Sequence, residues 1–167
     1  MPEFTGAPDG TGRRVAVVVS RFNETVTQAL GEGAVATLVE CGVTFDDIDV
    51  VVVPGAWELP TAARALLGTG RYDVLVVVGA IVRGDTPHFE FVAGETSRAI
   101  MHLGTEFEVP IGFGLLTTDT MAQAEARAGG EHGNKGRDAA LAALEMADLL
   151  ARLDTIDDGE RDGQAEA

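Results

Sequence analysis

Four short runs of apolar residues recur along the chain, and each is followed by a longer stretch whose apolar residues fall at helical spacing. The runs occupy residues 14–20, 48–53, 74–78 and 111–116 and are rich in valine, isoleucine and leucine. They are continuous rather than alternating, which is typical of strands buried on both faces of a sheet. Strands that alternate with helices predict a parallel sheet with right-handed crossovers and helices on both faces.

This order predicts a flavodoxin-like three-layer α/β/α sandwich with a four-stranded parallel sheet, built from residues 13–153. The predicted helices span residues 23–41, 57–67, 86–107, 121–128 and 134–153. Asn23 and Thr86 are residue types that cap helices, and Pro87 suits a first helical position because its missing N–H needs no partner there. The third strand is predicted to end at Gly79, where a polar loop begins.

The two ends of the chain lie outside this pattern. Residues 1–12 contain two prolines, three glycines and the isolated Phe4. They predict an extended arm, which is either a disordered terminus or a segment anchored by Phe4 on the sheet of a neighbouring subunit. Residues 154–167 contain six acidic residues against Arg161 alone and are expected to form an acidic, disordered tail.

The charge and the cysteine content exclude several classes of function. The formal net charge is −15 over 167 residues, so nucleic acid and anionic membranes are not expected partners. A soluble acidic surface explains this charge, with adaptation to high salt as the alternative. Cys41 is the only cysteine, which excludes an intrachain disulfide and a Cys-rich metal site; a buried, inert thiol is favoured over a nucleophile.

Four further patterns are missing from the sequence. No apolar run approaches the ~20 residues of a membrane span, and the N-terminus lacks a basic region followed by an apolar core. We therefore expect a cytoplasmic protein. No G-x-G-x-x-G follows the first strand and no G-x-S-x-G occurs, which disfavours dinucleotide binding and acyl transfer.

Candidate chemistry gathers where the predicted strands end, because the carboxyl ends of parallel strands share one edge of the sheet. Phe22 and Trp57 could stack on a flat heteroaromatic ring, and backbone groups near Ala56 and Ile81 could bind its polar edges. Glu58 could bind a hydroxyl group or a ring N–H. The alternatives are a core position for Phe22 and a purely helix-stabilising carboxylate for Glu58.

A second set of candidates is charged or titratable. Residues 83–86 precede a predicted helix, whose first N–H groups could hold a phosphate. His88 follows in the first turn and could exchange a proton near neutral pH, whereas His102 and His132 are interpreted as surface residues. Arg127 and Lys135 flank a glycine-rich connection and could hold an anionic ligand, with solvated surface charges as the alternative.

Five segments together resemble the 6,7-dimethyl-8-ribityllumazine synthase family, and the resemblance extends over about residues 14–150. The segments are RFN at 21–23, PGAWELP at 54–60, GAIVRGDTPHF at 79–89, GFGLLT at 112–117 and GNKG at 133–136. The resemblance implies condensation of 5-amino-6-(D-ribitylamino)uracil with 3,4-dihydroxy-2-butanone 4-phosphate, the penultimate step of riboflavin synthesis. It also implies that no metal or organic cofactor takes part.

The resemblance further implies a role for each candidate residue. His88 would shuttle protons, Asp85 and Thr86 would offer backbone N–H groups to the phosphate, and Arg127 of an adjacent subunit would clamp that phosphate with Lys135 nearby. The uracil ring and the ribityl chain would be held by Phe22, Ala56, Trp57, Glu58, Ala80, Ile81, Val82 and Phe113.

Assembly is also implied by the resemblance, because members of this family form pentamers or hollow sixty-subunit shells with sites between neighbours. The short connection over residues 129–136 favours a shell, and riboflavin synthase is a candidate partner. A non-catalytic relative that binds flavin or lumazine, or only forms a shell, is the alternative function. A flavodoxin-like FMN carrier is disfavoured, because residues 20–23 (SRFN) are not a Ser/Thr-rich phosphate loop.

Overall fold

The computed structural model describes the backbone of Met1 and of residues 3–165, with side chains as far as residue 155. In this part of the chain, a parallel sheet has the strand order β2-β1-β3-β4. The strands are β1 (Val15–Ser20), β2 (Ile48–Val53), β3 (Val74–Val82) and β4 (Ile111–Thr118). The helices are α1 (Glu24–Glu40), α2 (Leu59–Leu67), α3 (His88–Phe107), α4 (Met121–Ala126) and α5 (Lys135–Ala165).

The predicted three-layer sandwich is confirmed. Helices α1 and α5 pack with the sheet in one apolar cluster, and α2 and α3 pack in the other. The central strands β1 and β3 are therefore covered on both faces, and residues 15–18 and 74–78 are fully buried. A continuous apolar run follows from this position, because neither face of a central strand meets water.

Strand β3 is longer than predicted, because Gly79 is part of it rather than its end. A Cβ at Gly79 would lie 2.8 Å from Leu115 Cδ1 and from Ser20 Oγ. Close packing with neighbouring side chains, not a turn, therefore explains the glycine. The strand continues to Val82, which pairs with Thr118 of β4.

Neither predicted helix cap forms. Asn23 stands at the N-cap position of α1 with φ of 63°, but its side-chain amide donates to the carbonyl of Ala80 at 2.9 Å instead. Helix α3 begins at His88 after an N-cap Pro87 and has no side-chain cap, so Thr86 lies outside it. The chain enters α2 through a 3-10 turn, Ala56–Glu58. Residue type predicts capping ability, but tertiary contacts decide where the side chain points.

The sequence analysis missed a small hairpin between α4 and α5. Strands β5 (Ala128–Gly130) and β6 (Gly133–Asn134) pair antiparallel. Gly129 and Gly133 have φ of 108° and 72°, conformations that residues with a Cβ rarely adopt. Strands of two and three residues carry no detectable hydrophobic period, which is why the pattern did not reveal them.

Residues 3–10 of the N-terminal arm form no helix or strand, and Gly6 lies against α5 of the same chain. A Cβ at Gly6 would lie 1.9 Å from the carbonyl oxygen of Glu145, and the N–H of Ala7 donates to Asp148 Oδ2 at 2.8 Å. The Phe4 side chain is 48% exposed. At the other end, α5 passes the expected end at residue 153 and reaches Ala165. The side chains of residues 156–167 lie outside the described part, so the tail stays a prediction.

Cys41 lies at the end of α1 and is half-buried. Burial raises the pKa of its thiol above the ordinary value. A raised pKa keeps the sulfur in the weakly nucleophilic thiol form at neutral pH. This environment is consistent with the predicted inert thiol.

Candidate active site

A cavity of about 440 Å³ opens at the carboxyl edge of the sheet, where the sequence predicted a site. Its walls come from the loop after β1, the 3-10 turn after β2, the end of β3 and the first turns of α3. The candidate residues that line it are Phe22, Ala56, Trp57, Glu58, Ala80, Ile81, Val82, Thr86 and His88. Three connections distant in sequence therefore meet at one concave surface, as the parallel topology requires.

Two aromatic side chains stand at the mouth of the cavity. Phe22 is 71% exposed and Trp57 is 57% exposed, so Phe22 is not a core residue. The loop that carries Phe22 is fixed to the end of β2, because the N–H groups of Arg21 and Phe22 donate to the carbonyls of Val53 and Pro54. Exposed rings on anchored backbone form a platform on which a planar ligand can stack.

The opposite wall of the cavity is a strand. Ala80, Ile81 and Val82 belong to β3, so their backbone positions are fixed by pairing with β4. The carbonyl of Ala80 accepts the amide of Asn23, which also lines the cavity. This hydrogen bond ties the Phe22 loop to the β3 wall and sets the distance between them. This role of Asn23 was not predicted, because in the sequence Asn23 indicates only the start of a helix.

The segment between β3 and α3 forms the polar end of the cavity. Asp85, Thr86 and His88 are exposed there. Within the residues that the structure describes, the backbone N–H groups of Asp85 and Thr86 form no hydrogen bond. Free N–H groups ahead of a 20-residue helix are suited to an anion, because they coincide with the positive end of the helix dipole.

Arg83 precedes this segment and is held by two acids. Its Nε atom donates to Asp119 Oδ1 at 2.8 Å, and its Nη1 atom donates to Glu90 Oε1. The hydrogen bonds that Arg83 donates to Asp119 and Glu90 raise the pKa of Arg83, and Arg83 in turn lowers the pKa of Glu90. The three side chains form one ion-pair cluster.

The remaining candidates do not reach this cavity in the single chain. Phe113 and Lys135 line a second hollow, of about 1020 Å³, beside the edge strand β4. The Nζ atom of Lys135 is paired with Asp138 at 2.6 Å. Arg127 follows α4, and its Nη1 atom donates to the carbonyl of Gln123 at 3.0 Å. The structure thus divides the predicted site residues between separate surfaces of one molecule.

Asn134 fixes the start of α5, and the sequence analysis did not single it out. Its side chain donates to the carbonyl of Ala29 in α1 and accepts the N–H groups of Gly136 and Arg137. A Cβ at Gly136 would lie 2.0 Å from the carbonyl oxygen of Leu30, so only glycine allows this approach. The Asn-x-Gly spacing at a helix start is the signal that could have revealed this role.

The described residues contain neither a metal-binding cluster nor a membrane-spanning helix. No group of three or more His, Cys, Asp or Glu side chains within them is arranged to hold a metal ion. No helix among them is long and apolar enough to cross a membrane.

Residues 12–151 match the family model described as 6,7-dimethyl-8-ribityllumazine synthase. A curated relative with that name, from Gemmatimonas aurantiaca, is 62% identical over 164 residues, which cover 98% of this chain and 100% of the relative. Both matches include the β1, β2 and β3 loops of the cavity and the α4–α5 connection that carries Arg127 and Lys135.

Proposed function

The chain belongs to the 6,7-dimethyl-8-ribityllumazine synthase family, and from this premise we propose that its active site is completed by a second copy of the chain. The protein is an enzyme of riboflavin biosynthesis. It condenses 5-amino-6-(D-ribitylamino)uracil with 3,4-dihydroxy-2-butanone 4-phosphate to 6,7-dimethyl-8-ribityllumazine, releasing phosphate and water. The residues that catalyse this condensation and the assembly in which they act are proposed.

The division of the candidates between two surfaces supports a shared site. The cavity offers aromatic rings, free N–H groups and a histidine, but Arg127 and Lys135 lie elsewhere on the same chain. A doubly charged phosphate needs cations as well as N–H groups to be held tightly at neutral pH. A neighbouring subunit that turns its Arg127 toward the cavity supplies the missing charge.

Each wall of the cavity has a proposed role. The uracil ring stacks on Phe22 beside Trp57, and its polar edges bind backbone groups of Ala56 and of the β3 wall formed by Ala80, Ile81 and Val82. Glu58 binds the ribityl chain, and the neighbour's Phe113 completes the surface around it. The phosphate binds the N–H groups of Asp85 and Thr86 and is clamped by the neighbour's Arg127, with Lys135 close by.

The chemistry needs orientation and proton transfer rather than a protein nucleophile. The primary amine of the uracil substrate attacks the ketone of the second substrate, so the nucleophile arrives with the substrate. Imine formation, loss of phosphate, ring closure and dehydration each move protons, and His88 carries them at the polar end of the cavity. Holding two substrates in register supplies much of the remaining acceleration.

Two apolar surfaces support a ring of subunits. The edge strand β2 exposes Val50 and Val52, with 53% and 61% of their surface accessible, beside a groove of about 690 Å³ along α1. The second surface is the hollow beside the other edge strand, β4. An exposed strand edge is a template for pairing, and residues 1–5 with Phe4 are the proposed strand from a neighbour. A pentamer joins these surfaces in a closed ring.

The higher assembly is a sixty-subunit shell, which the short connection from residue 129 to residue 136 favours over an isolated pentamer. The enzyme acts in the cytoplasm and supplies its product to riboflavin synthase, which is also a candidate physical partner.

A mixing experiment tests the shared site. One chain carries both Phe22→Ala and His88→Ala, and the other carries Arg127→Ala, so each variant disables one half of the proposed site. Co-expressed chains should form some sites with both halves intact, and lumazine absorbance should increase faster than for either variant alone. Preassembled variants mixed without subunit exchange are the control. Activity that never exceeds the sum of the two variants would place the whole site within one chain.

A direct assay tests the activity itself. The purified protein is mixed with the two substrates and the formation of lumazine is followed by absorbance. A rate no higher than the uncatalysed condensation would support the non-catalytic alternative.

A further inference from the structure

Arg83 joins three elements around the polar end of the cavity. Its N–H donates to the carbonyl of Thr118, one residue beyond the last pair between β3 and β4. Its guanidinium pairs with Asp119, just before α4, and with Glu90, in the first turn of α3. The same group lies over the ring of Phe89, 4.1 Å from the centroid.

These contacts fix both ends of the segment formed by residues 84–87. Its start follows the backbone of Arg83, and its end leads into the turn of α3 that the Arg83 side chain contacts through Phe89 and Glu90. We propose that Arg83 is a positioning residue that sets the conformation in which the backbone N–H groups of Asp85 and Thr86 bind the phosphate of the butanone substrate. This inference rests on the proposed assignment of the phosphate to that segment.

A direct contact between Arg83 and the phosphate is the competing explanation. The cavity is lined by Gly84, Thr86 and His88, and neither Arg83 nor Asp85 is among its lining residues, so the choice between the two explanations depends on the ion pairs of Arg83. Two carboxylates already offset the charge of Arg83, which weakens its attraction for a phosphate. The geometry therefore favours an indirect role.

A hydrogen-bonded path extends from Arg83 toward Arg127. The N–H of Asp119 donates to Oε1 of Gln123 at 2.9 Å, and the carbonyl of Gln123 accepts from Arg127 Nη1 at 3.0 Å. Gln123 also donates its N–H to the capping hydroxyl of Thr120 at the start of α4. Arg83 thus supports the phosphate segment of its own site and, through Asp119 and Gln123, the arginine offered to the neighbour's site.

Steady-state kinetics of Arg83→Met test the proposal. The ion pairs of Arg83 with Asp119 and Glu90 are exposed, and each is weak by itself. Because both pairs and the contact with the Phe89 ring involve the same guanidinium, Arg83→Met removes all three at once. We expect KM for the butanone phosphate to rise about fivefold. KM for the uracil substrate should change less than about twofold, because the aromatic wall is untouched. A general loss of folding would instead lower the active fraction and leave both KM values unchanged.

Two further variants separate positioning from direct contact. Arg83→Lys should recover little, because an ammonium cannot pair with Asp119 and Glu90 at once while lying flat on Phe89. Asp119→Asn should raise the same KM in part, and the double variant should be no worse than Arg83→Met alone, since the residues act through one cluster. Full rescue by lysine together with an unaffected Asp119→Asn would overturn the proposal in favour of a direct phosphate contact.

Arg64 provides a matched control. It also pairs with an acid, Glu106 at 4.0 Å, and lies over a ring, Phe107 at 5.0 Å, but it is on α2 away from the cavity lining. Arg64→Met should leave both KM values unchanged.

If Arg127→Ala alters KM for the butanone phosphate while Arg83→Met does not, the positioning role is wrong and the site assignment stands. If neither variant alters it, the site assignment itself is wrong.

Discussion

At the scale of single residues, proton transfer and anion binding are assigned to different side chains. His88 lies on the cavity wall at the start of α3, whereas Arg127 and Lys135 lie beyond the reach of that cavity in the same chain. This division means that the two functions can be tested independently. The proposed shared site would account for one chain containing every candidate residue while only some of them line its cavity.

We expect His88→Ala to lower kcat about tenfold, less than the ~10²–10⁴ of a typical general acid–base group, because substrate orientation is retained. KM for the butanone phosphate should change little. The measurement is the initial rate of lumazine formation at saturating concentrations of both substrates. His102→Ala, on the exposed surface of the same helix, is the control and should be unaffected. A large rise in KM with unchanged kcat would assign His88 to binding instead.

At the scale of elements, the start of α5 is fixed by a small set of contacts with α1. Asn134 links the two helices through Ala29, and Gly136 lets their backbones approach closely. Because Lys135 stands between these two residues, its position depends on them. The GNKG segment therefore has a structural role in addition to its charged residue.

Gly136→Ala should destabilise the protein by about 1–3 kcal/mol, because its Cβ would lie 2.0 Å from the carbonyl oxygen of Leu30 and α5 must shift. The measurement is denaturant unfolding. Gly94→Ala is the control: it is also within a helix, and its Cβ would meet nothing within 4 Å. That change should stabilise the helix by about 0.5–1 kcal/mol. Equal effects of the two substitutions would contradict the close approach.

A polar cluster joins β1, β2 and the turn before β3, at the edge of the sheet opposite the cavity. Tyr72 Oη donates to Asp49 Oδ2 at 2.7 Å, and Arg14 Nη2 donates to the same oxygen at 3.2 Å. The hydrogen bond from Tyr72, followed by that from Arg14, lowers the pKa of Asp49 below its ordinary value. This half-buried cluster couples the stability of the sheet edge to pH.

A lowered pKa in the folded state means that the stabilisation from Asp49 is present above the unfolded value, about 3.9. It is lost as the pH falls through the lower, folded value. Asp49→Asn should therefore weaken the pH dependence of unfolding below about pH 4. Denaturant unfolding over that range is the measurement, with Asp46→Asn in the exposed turn before β2 as the control. An unaltered pH dependence in Asp49→Asn would show that the cluster contributes nothing measurable.

At the scale of the whole molecule, strands β2 and β4 form the two edges of the sheet in the part of the chain that the structure describes, and we propose that the site is shared between subunits. Val50 and Val52 on β2 are exposed apolar residues, and a broad hollow flanks β4. A ring in which neighbours cover these edges would also bring Arg127 toward the next cavity. Assembly and activity are therefore expected to depend on the same contacts.

Val52→Asp should shift the protein to smaller species, because an unpaired buried charge costs about 3–5 kcal/mol at each interface. Activity should fall in parallel, since each site would lose its neighbour's residues. Sedimentation velocity gives the size distribution, and the lumazine assay on the same samples gives the activity. A monomer that retains full activity would exclude the shared site.

Much of the fold could be predicted from the chain alone. The valine-rich runs are continuous because β1 and β3 are buried on both faces. Such a run can be recognised in the sequence even when the neighbouring strands and helices are unknown. The end of β3 could not be predicted, because Gly79 resembles a turn in sequence and is a packing contact in space. The side chain of Asn23 was mispredicted for a similar reason, since its partner Ala80 is 57 residues away.

The sequence by itself determined the order of the four strands of the main sheet and of the five helices, and the family of the chain. Hydrophobic period and motif spacing are local properties, so they can be read without coordinates. Only the tertiary structure decided that Arg83 is held by Asp119 and Glu90, that Asn134 links α5 to α1, and that Arg127 lies off the cavity. Those relations join residues from different elements, and they exist only once the chain has folded.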